Sequence, residues 1–157
     1  MRTLISLIFI FLLSLTTIAQ QPNNPKSPSF GTFGFGPITG NHPWVGATAK
    51  LWLGEKLAID AVVGYQKDVE LQANLTSNRS PFNLSNGNLF FTYGLGVFSK
   101  IPTADALGVQ AIGGAEWFLP WEPVSVFADY IPAVNFNPKQ DKAFQPLNFV
   151  GGIRYYF

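Results

Sequence analysis

Nearly every segment between Ser29 and Phe157 alternates with a period of two, and the two faces differ in kind. In Leu57 to Gln66, the residues Leu57, Ile59, Ala61, Val63 and Tyr65 share one face, while Asp60 and Gln66 lie on the other. In Val69 to Thr76, the set Val69, Leu71, Ala73 and Leu75 opposes Glu70, Gln72, Asn74 and Thr76. Such alternation marks strands buried on one side, and no segment carries a helical period. Within the predicted strands the charges fall on one face only. Charged residues make up 12% of the chain, about half the usual globular share.

The same pattern predicts eight strands. Ser29 to Ile38 turns Phe33 and Phe35 one way and Gly34 and Gly36 the other. Trp44 to Leu53 separates Val45, Ala47, Ala49, Leu51 and Leu53 from Trp44, Thr48, Lys50 and Trp52. Leu57 to Gln66 and Val69 to Thr76 follow. Leu89 to Lys100 carries Leu89, Phe91, Tyr93, Leu95 and Val97 opposite Phe90, Thr92, Gly94, Gly96, Phe98 and Lys100. Ala106 to Leu119 and Val124 to Phe136 come next. The last strand starts near Gln145 and alternates Phe149, Gly151, Ile153, Tyr155 and Phe157 against Val150, Gly152, Arg154 and Tyr156. Asn78 to Asn88 reads as a polar loop, the longest connection. Strands of roughly 8–13 residues suit a tilted bilayer span. The expected fold is all-β: an eight-stranded antiparallel up-and-down transmembrane β-barrel, with apolar side chains facing lipid. An even count puts both termini on one side, the periplasm.

The start of the chain points to the same compartment. Met1-Arg2 gives a positive start, Leu4 to Leu15 is almost wholly apolar, and Thr17-Ile18-Ala19 offers small residues for a signal peptidase. Residues 1–20 read as a signal peptide, too short in its apolar run to span a bilayer. Residues 21–28 read as a disordered, proline-rich lead-in, and 29–157 as the barrel. Without cysteine, the chain has neither a disulfide framework nor a lipoprotein anchor. A net charge of +1 gives no reason to expect a nucleic-acid partner.

Facing apolar residues outward leaves charges inside. The lumen set is Lys50, Asp60, Glu70, Glu116, Asp129 and Arg154, together with Lys100. Buried charges must pair, and both signs are present. Trp52, Phe90, Phe98, Phe118, Phe127 and Tyr156 also point inward. An eight-stranded barrel has room for its own side chains or one small ligand, so the interior reads as a packed polar plug. Two aromatic belts are expected: Phe91, Trp117, Trp121, Tyr155 and Phe157 near the periplasm, and Trp44, Tyr65, Phe136 and Phe144 near the outer face.

In architecture the chain resembles small eight-stranded outer-membrane barrels of the OmpA/OmpX type. It is similar, more closely, to a group of short outer-membrane barrels without an assigned activity. The stretches that carry the likeness are Ala49-Lys50-Leu51-Trp52-Leu53, Ala58-Ile59-Asp60-Ala61-Val62-Val63-Gly64-Tyr65, Phe127-Ala128-Asp129-Tyr130-Ile131-Pro132-Ala133-Val134 and Gly151-Gly152-Ile153-Arg154-Tyr155-Tyr156-Phe157. The resemblance implies a place, the cell outer membrane, and a fold without a catalytic set. Its terminal aromatic strand, with Tyr155 and Phe157, resembles the signal read by the barrel-insertion machinery.

Catalytic and cofactor signals are thin. The single histidine, His42, sits in the first outer loop, where Thr39, Asp68 or Asp105 could meet it as in lipid-modifying barrel enzymes. The spacing forms no motif. One histidine and scattered carboxylates do not make a metal site. Gly34-Phe35-Gly36 and Gly94-Leu95-Gly96 lie in strands and lead into no helix, so neither is a phosphate loop. The expectation is therefore a monomeric structural or interaction barrel, with membrane lipid and the insertion machinery as partners and no cofactor. The alternatives are a narrow channel or small-ligand carrier, an enzyme using His42, and a secreted lipocalin-like barrel with every face inverted.

Overall fold

The computed structural model describes residues 31–41, 44–84, 87–101, 107–120, 122–136, 143–145 and 148–157. The expected signal peptide and lead-in, His42, Asp105 and Trp121 lie outside the described residues. The described residues are all-β, without a helix. The strands are β1 (Phe33–Gly40), β2 (Val45–Trp52), β3 (Leu57–Tyr65), β4 (Val69–Leu84), β5 (Gly87–Ile101) and β6 (Leu107–Phe118). β7 runs over Val124–Tyr130 and resumes at Ala133–Asn135; β8 runs over Phe144–Gln145 and Phe149–Tyr156.

Each strand pairs antiparallel with its sequence neighbours, and β1 pairs with β8 through Gly34↔Tyr156 and Ile38↔Gly152. The sheet is thus a closed eight-stranded up-and-down barrel. Closure gives every strand two partners and removes the exposed edges that an open sheet leaves.

Two elements differ from the sequence expectation. Asn78 to Asn88 is not a loop. β4 and β5 continue past the end of β3 as a long hairpin, with Asn78↔Thr92, Asn83↔Asn88 and Leu84↔Gly87 in register. The ladder slips between Arg79 and Phe82, around Pro81, which has no amide hydrogen to donate. The asparagines and serines there mimic a loop in composition, but alternation carries through Asn78. Gly87, the first residue of β5, has a positive φ.

The second difference is in β7, which Pro132 interrupts rather than letting it run unbroken to Phe136. Hydrogen bonding continues across the break: Ile131 N donates to Asn148 O and Ala111 N to Pro132 O.

Side-chain parity follows the alternation. Leu57, Ile59, Val63, Leu71, Leu75, Leu95, Val97, Val109, Val126 and Ile153 are exposed on the outer wall. Trp52, Phe90, Phe98, Phe118, Phe127 and Tyr156 are buried inside. Trp44 is also buried, so it does not belong to an outer belt. Exposed aromatics gather toward the two ends. Phe35, Phe91, Tyr93, Trp117, Tyr155 and Phe157 mark the end holding the termini, and Tyr65, Tyr130, Phe136, Phe144 and Phe149 mark the other.

Candidate functional site: the barrel interior

Four of the seven charges expected in the lumen meet in one buried network. Lys50 on β2 and Asp60 on β3 are direct cross-strand partners, so the turn between those strands fixes their register. Glu116 arrives from β6 on the opposite wall and Arg154 from β8. Lys50 Nζ lies 2.8 Å from Glu116 Oε2, Arg154 Nη1 lies 3.2 Å from Glu116 Oε1, and Arg154 Nη2 lies 3.2 Å from Asp60 Oδ1. All four are buried.

Neutral groups complete the set. Ser125 Oγ and Tyr156 OH donate to Glu116 Oε1 at 2.6 and 2.7 Å. Thr76 donates to Asp60 at 2.7 Å. Asn78 Oδ1 accepts from both Lys50 (3.0 Å) and Thr92 (2.8 Å). Arg154 Nη2 donates to Thr48 Oγ1 at 3.1 Å, reaching from β8 past β1 to β2. Gly36 lies between them: its Cα position comes so close to the β8 backbone that an added Cβ would sit 1.9 Å from Ile153 O. Glu116 therefore accepts four hydrogen bonds and faces two cations. This satisfaction is what a carboxylate needs to stay charged away from water.

The remaining charges sit elsewhere. Glu70 is not in this network; it accepts from Gln72 at 2.7 Å and, with Lys100, lines the mouth away from the termini. Asp129 is half-buried and faces a cavity of about 10 Å³ that Asp60, Thr76, Thr92 and Arg154 also line, room for about one water. Tyr155 and Phe157 stand exposed on the outer wall with rings 5.0 Å apart.

On the termini side of the ionic layer the interior is apolar, and on the other side apolar and neutral polar side chains mix. Toward the termini, Trp52, Phe90, Phe118 and Tyr156 form a ring cluster, with Phe118 4.9 Å from Tyr156 and 5.3 Å from Phe90. On the other side lie Ile38, Trp44, Val62, Ile112, Phe127, Ile131 and Val150. Trp44 lies flat on β3 only because residue 64 is glycine: a Cβ there would fall 1.9 Å from the indole. Gln110 bridges Gln72 (3.0 Å) and Asn74 (2.6 Å) at the same depth range. The interior is thus layered, not the uniformly polar plug that counting inward charges suggests. Beyond these layers a pocket of about 50 Å³ opens among Trp44, Gln66, Glu70, Gln72, Lys100 and Asn148.

Asn78 is the network member that composition hides, because its neighbours read as loop; extending the even-numbered inward parity from Glu70 through Asn78 finds it. Of the rim residues considered for acid–base chemistry, Thr39 directs its hydroxyl to Trp44 O at 3.0 Å. No three His, Asp or Glu side chains among the described residues come close enough together to hold a metal. No family model, curated protein or solved structure matches the chain.

Proposed function

We propose that this chain is a transmembrane barrel of a bacterial outer membrane, with a closed lumen, acting as a structural or interaction element rather than as a conduit or catalyst. One observation carries the reading: aliphatic side chains cover the outer wall while Lys50, Asp60, Glu116 and Arg154 are buried within. A water-soluble barrel of the lipocalin kind calls for the reverse, apolar residues inside and polar ones out. The dimensions support the bilayer. From Leu57 to Tyr65, β3 extends about 26 Å at roughly 3.3 Å per residue. Tilted by about 40°, it rises roughly 20 Å, close to the usual apolar band. Exposed aromatics at both ends suit the two interfaces.

The closed interior supports the second half of the proposal. An ion entering from either mouth meets the ring cluster or the Val62–Ile112 layer before the paired charges. The mouth pocket, at about 50 Å³, is far below the roughly 300 Å³ at which small-molecule sites begin. The short connection at residues 53–56 shares the end with Phe33 and Phe157, as periplasmic turns do.

Envelope fractionation with unheated gels and single-channel recording on the purified chain test both halves. Outer-membrane recovery with a fast-migrating unheated band and a silent bilayer is the expected result. Soluble recovery without a mobility shift refutes the membrane reading, and unitary current steps refute the closed lumen.

A further inference from the structure

The outer wall carries one charged side chain on its strands among the described residues. Following outward parity, the strands show aliphatic, aromatic, glycine, proline, serine or threonine residues at every described position except Arg79 on β4. Arg79 is exposed and stands one outward position past Ser77, where β3 ends. Its guanidinium carbon lies 5.9 Å from the centre of the Tyr93 ring. Ser77 donates to the Tyr93 phenol oxygen at 3.2 Å, which leaves the phenolic hydrogen for another acceptor. Exposed Lys56 adjoins the same corner, since Asn78 N donates to Lys56 O at 2.6 Å. Arg79 forms no ion pair with a described residue; the acid nearest this corner in sequence is half-buried Glu55, in the turn before Lys56.

An unpaired cation is costly on an apolar wall unless it meets water or an anion. Arg79 sits at the level of Phe91, Tyr93, Trp117 and Tyr155, where headgroups lie if the barrel spans a bilayer. A guanidinium fork and a phenol side by side, with an exposed ammonium-bearing residue on the adjoining strand end, match the oxygens of a phosphate. We propose that Arg79, Lys56 and Tyr93 form a binding site for the phosphate of an anionic phospholipid, seated against the β4–β5 hairpin at the termini end of the barrel. This rests on the membrane reading above. The site would anchor that end in a phospholipid leaflet and hold the hairpin against the membrane surface.

The test uses the full chain in phosphatidylcholine vesicles containing traces of spin-labelled phosphatidylglycerol or spin-labelled phosphatidylcholine. The motionally restricted fraction of each label reads the preference at the protein surface. Wild type is expected to favour phosphatidylglycerol, R79Q to lose roughly fivefold of that preference, and K56Q a smaller share because its ammonium is freer. Added inorganic phosphate should leave the wild-type preference unchanged, whereas competition by it would point to a free-anion site and overturn the lipid assignment. Equal preference in wild type and R79Q, or none in wild type, refutes the site. A chain that never enters vesicles refutes the membrane reading instead, and a heat-shifted gel band distinguishes the two failures.

Discussion

Replacing Glu116 by Gln keeps the shape of the network's centre and removes its charge. Glu116 faces Lys50 at 2.8 Å and Arg154 at 3.2 Å. With an effective dielectric of about 20, each attraction is worth about 5–6 kcal/mol before desolvation. Desolvation costs several kcal/mol per ion and offsets most of this. In the variant that cost remains for Lys50 and Arg154 while half their counter-charge is gone. Asp60 still faces Arg154, but Lys50 keeps only the neutral Asn78 oxygen and the Trp52 ring, 4.8 Å from its Nζ. The amide also presents a donor where Ser125, Tyr156 and Arg154 all donate to Oε1, or where Lys50 does to Oε2. E116Q should therefore lose about 3–5 kcal/mol. The assay is reversible urea unfolding from vesicles, followed by tryptophan fluorescence, on wild type, E116Q, K50M and the double variant. Removing both partners deletes an ion pair rather than stranding a charge, so the double variant should be at least about 2 kcal/mol more stable than the two single losses added together. A single loss below about 1 kcal/mol, or strict additivity, would refute the view that these charges are held as one buried network.

Other positions test separate parts of the account by the same unfolding assay. Gly64→Ala places a methyl carbon where the Trp44 indole lies, so it should cost about 1–3 kcal/mol and shift the Trp44 emission; unchanged emission would mean the ring is not seated there. Asn78→Ala removes an acceptor shared by Lys50 and Thr92 and should cost about 1.5–3 kcal/mol, whereas a neutral effect would return Asn78 to an exposed loop. Phe118→Ala opens the centre of the ring cluster and should cost about 3–5 kcal/mol; a cost below 1 kcal/mol would mean that end of the lumen is loosely filled.

Alternation made the barrel legible because one residue of slip would turn every side chain to the wrong face. The parity of Lys50, Asp60, Glu116 and Arg154 put them inside, and their convergence follows from the register that closure imposes. Glu70 shares that parity but not that depth, and Asp129 shares both without reaching an ion-pair partner among the described residues. Parity tells inside from outside and says nothing about height along the axis, which depends on strand stagger. The β4–β5 extension was obscured because Asn, Ser and Pro lower strand propensity on either side of Asn78, while neighbour pairing and not intrinsic preference holds those residues in the sheet. The break at Pro132 was visible as a proline, but only the ladder shows that its missing donor is accommodated within β7.

The outer wall decides the central claim, and an arginine scan at two depths reads it directly. Leu95 is 71% exposed at the middle of the wall, between Leu75 and Ala111 on the flanking strands, while exposed Val45 lies at the far end of β2. If the wall faces hydrocarbon, Leu95→Arg costs about 2–4 kcal/mol of folding stability in vesicles and Val45→Arg about 0–1. Equal and near-zero costs at both positions would mean the wall faces water, and the membrane account would fail.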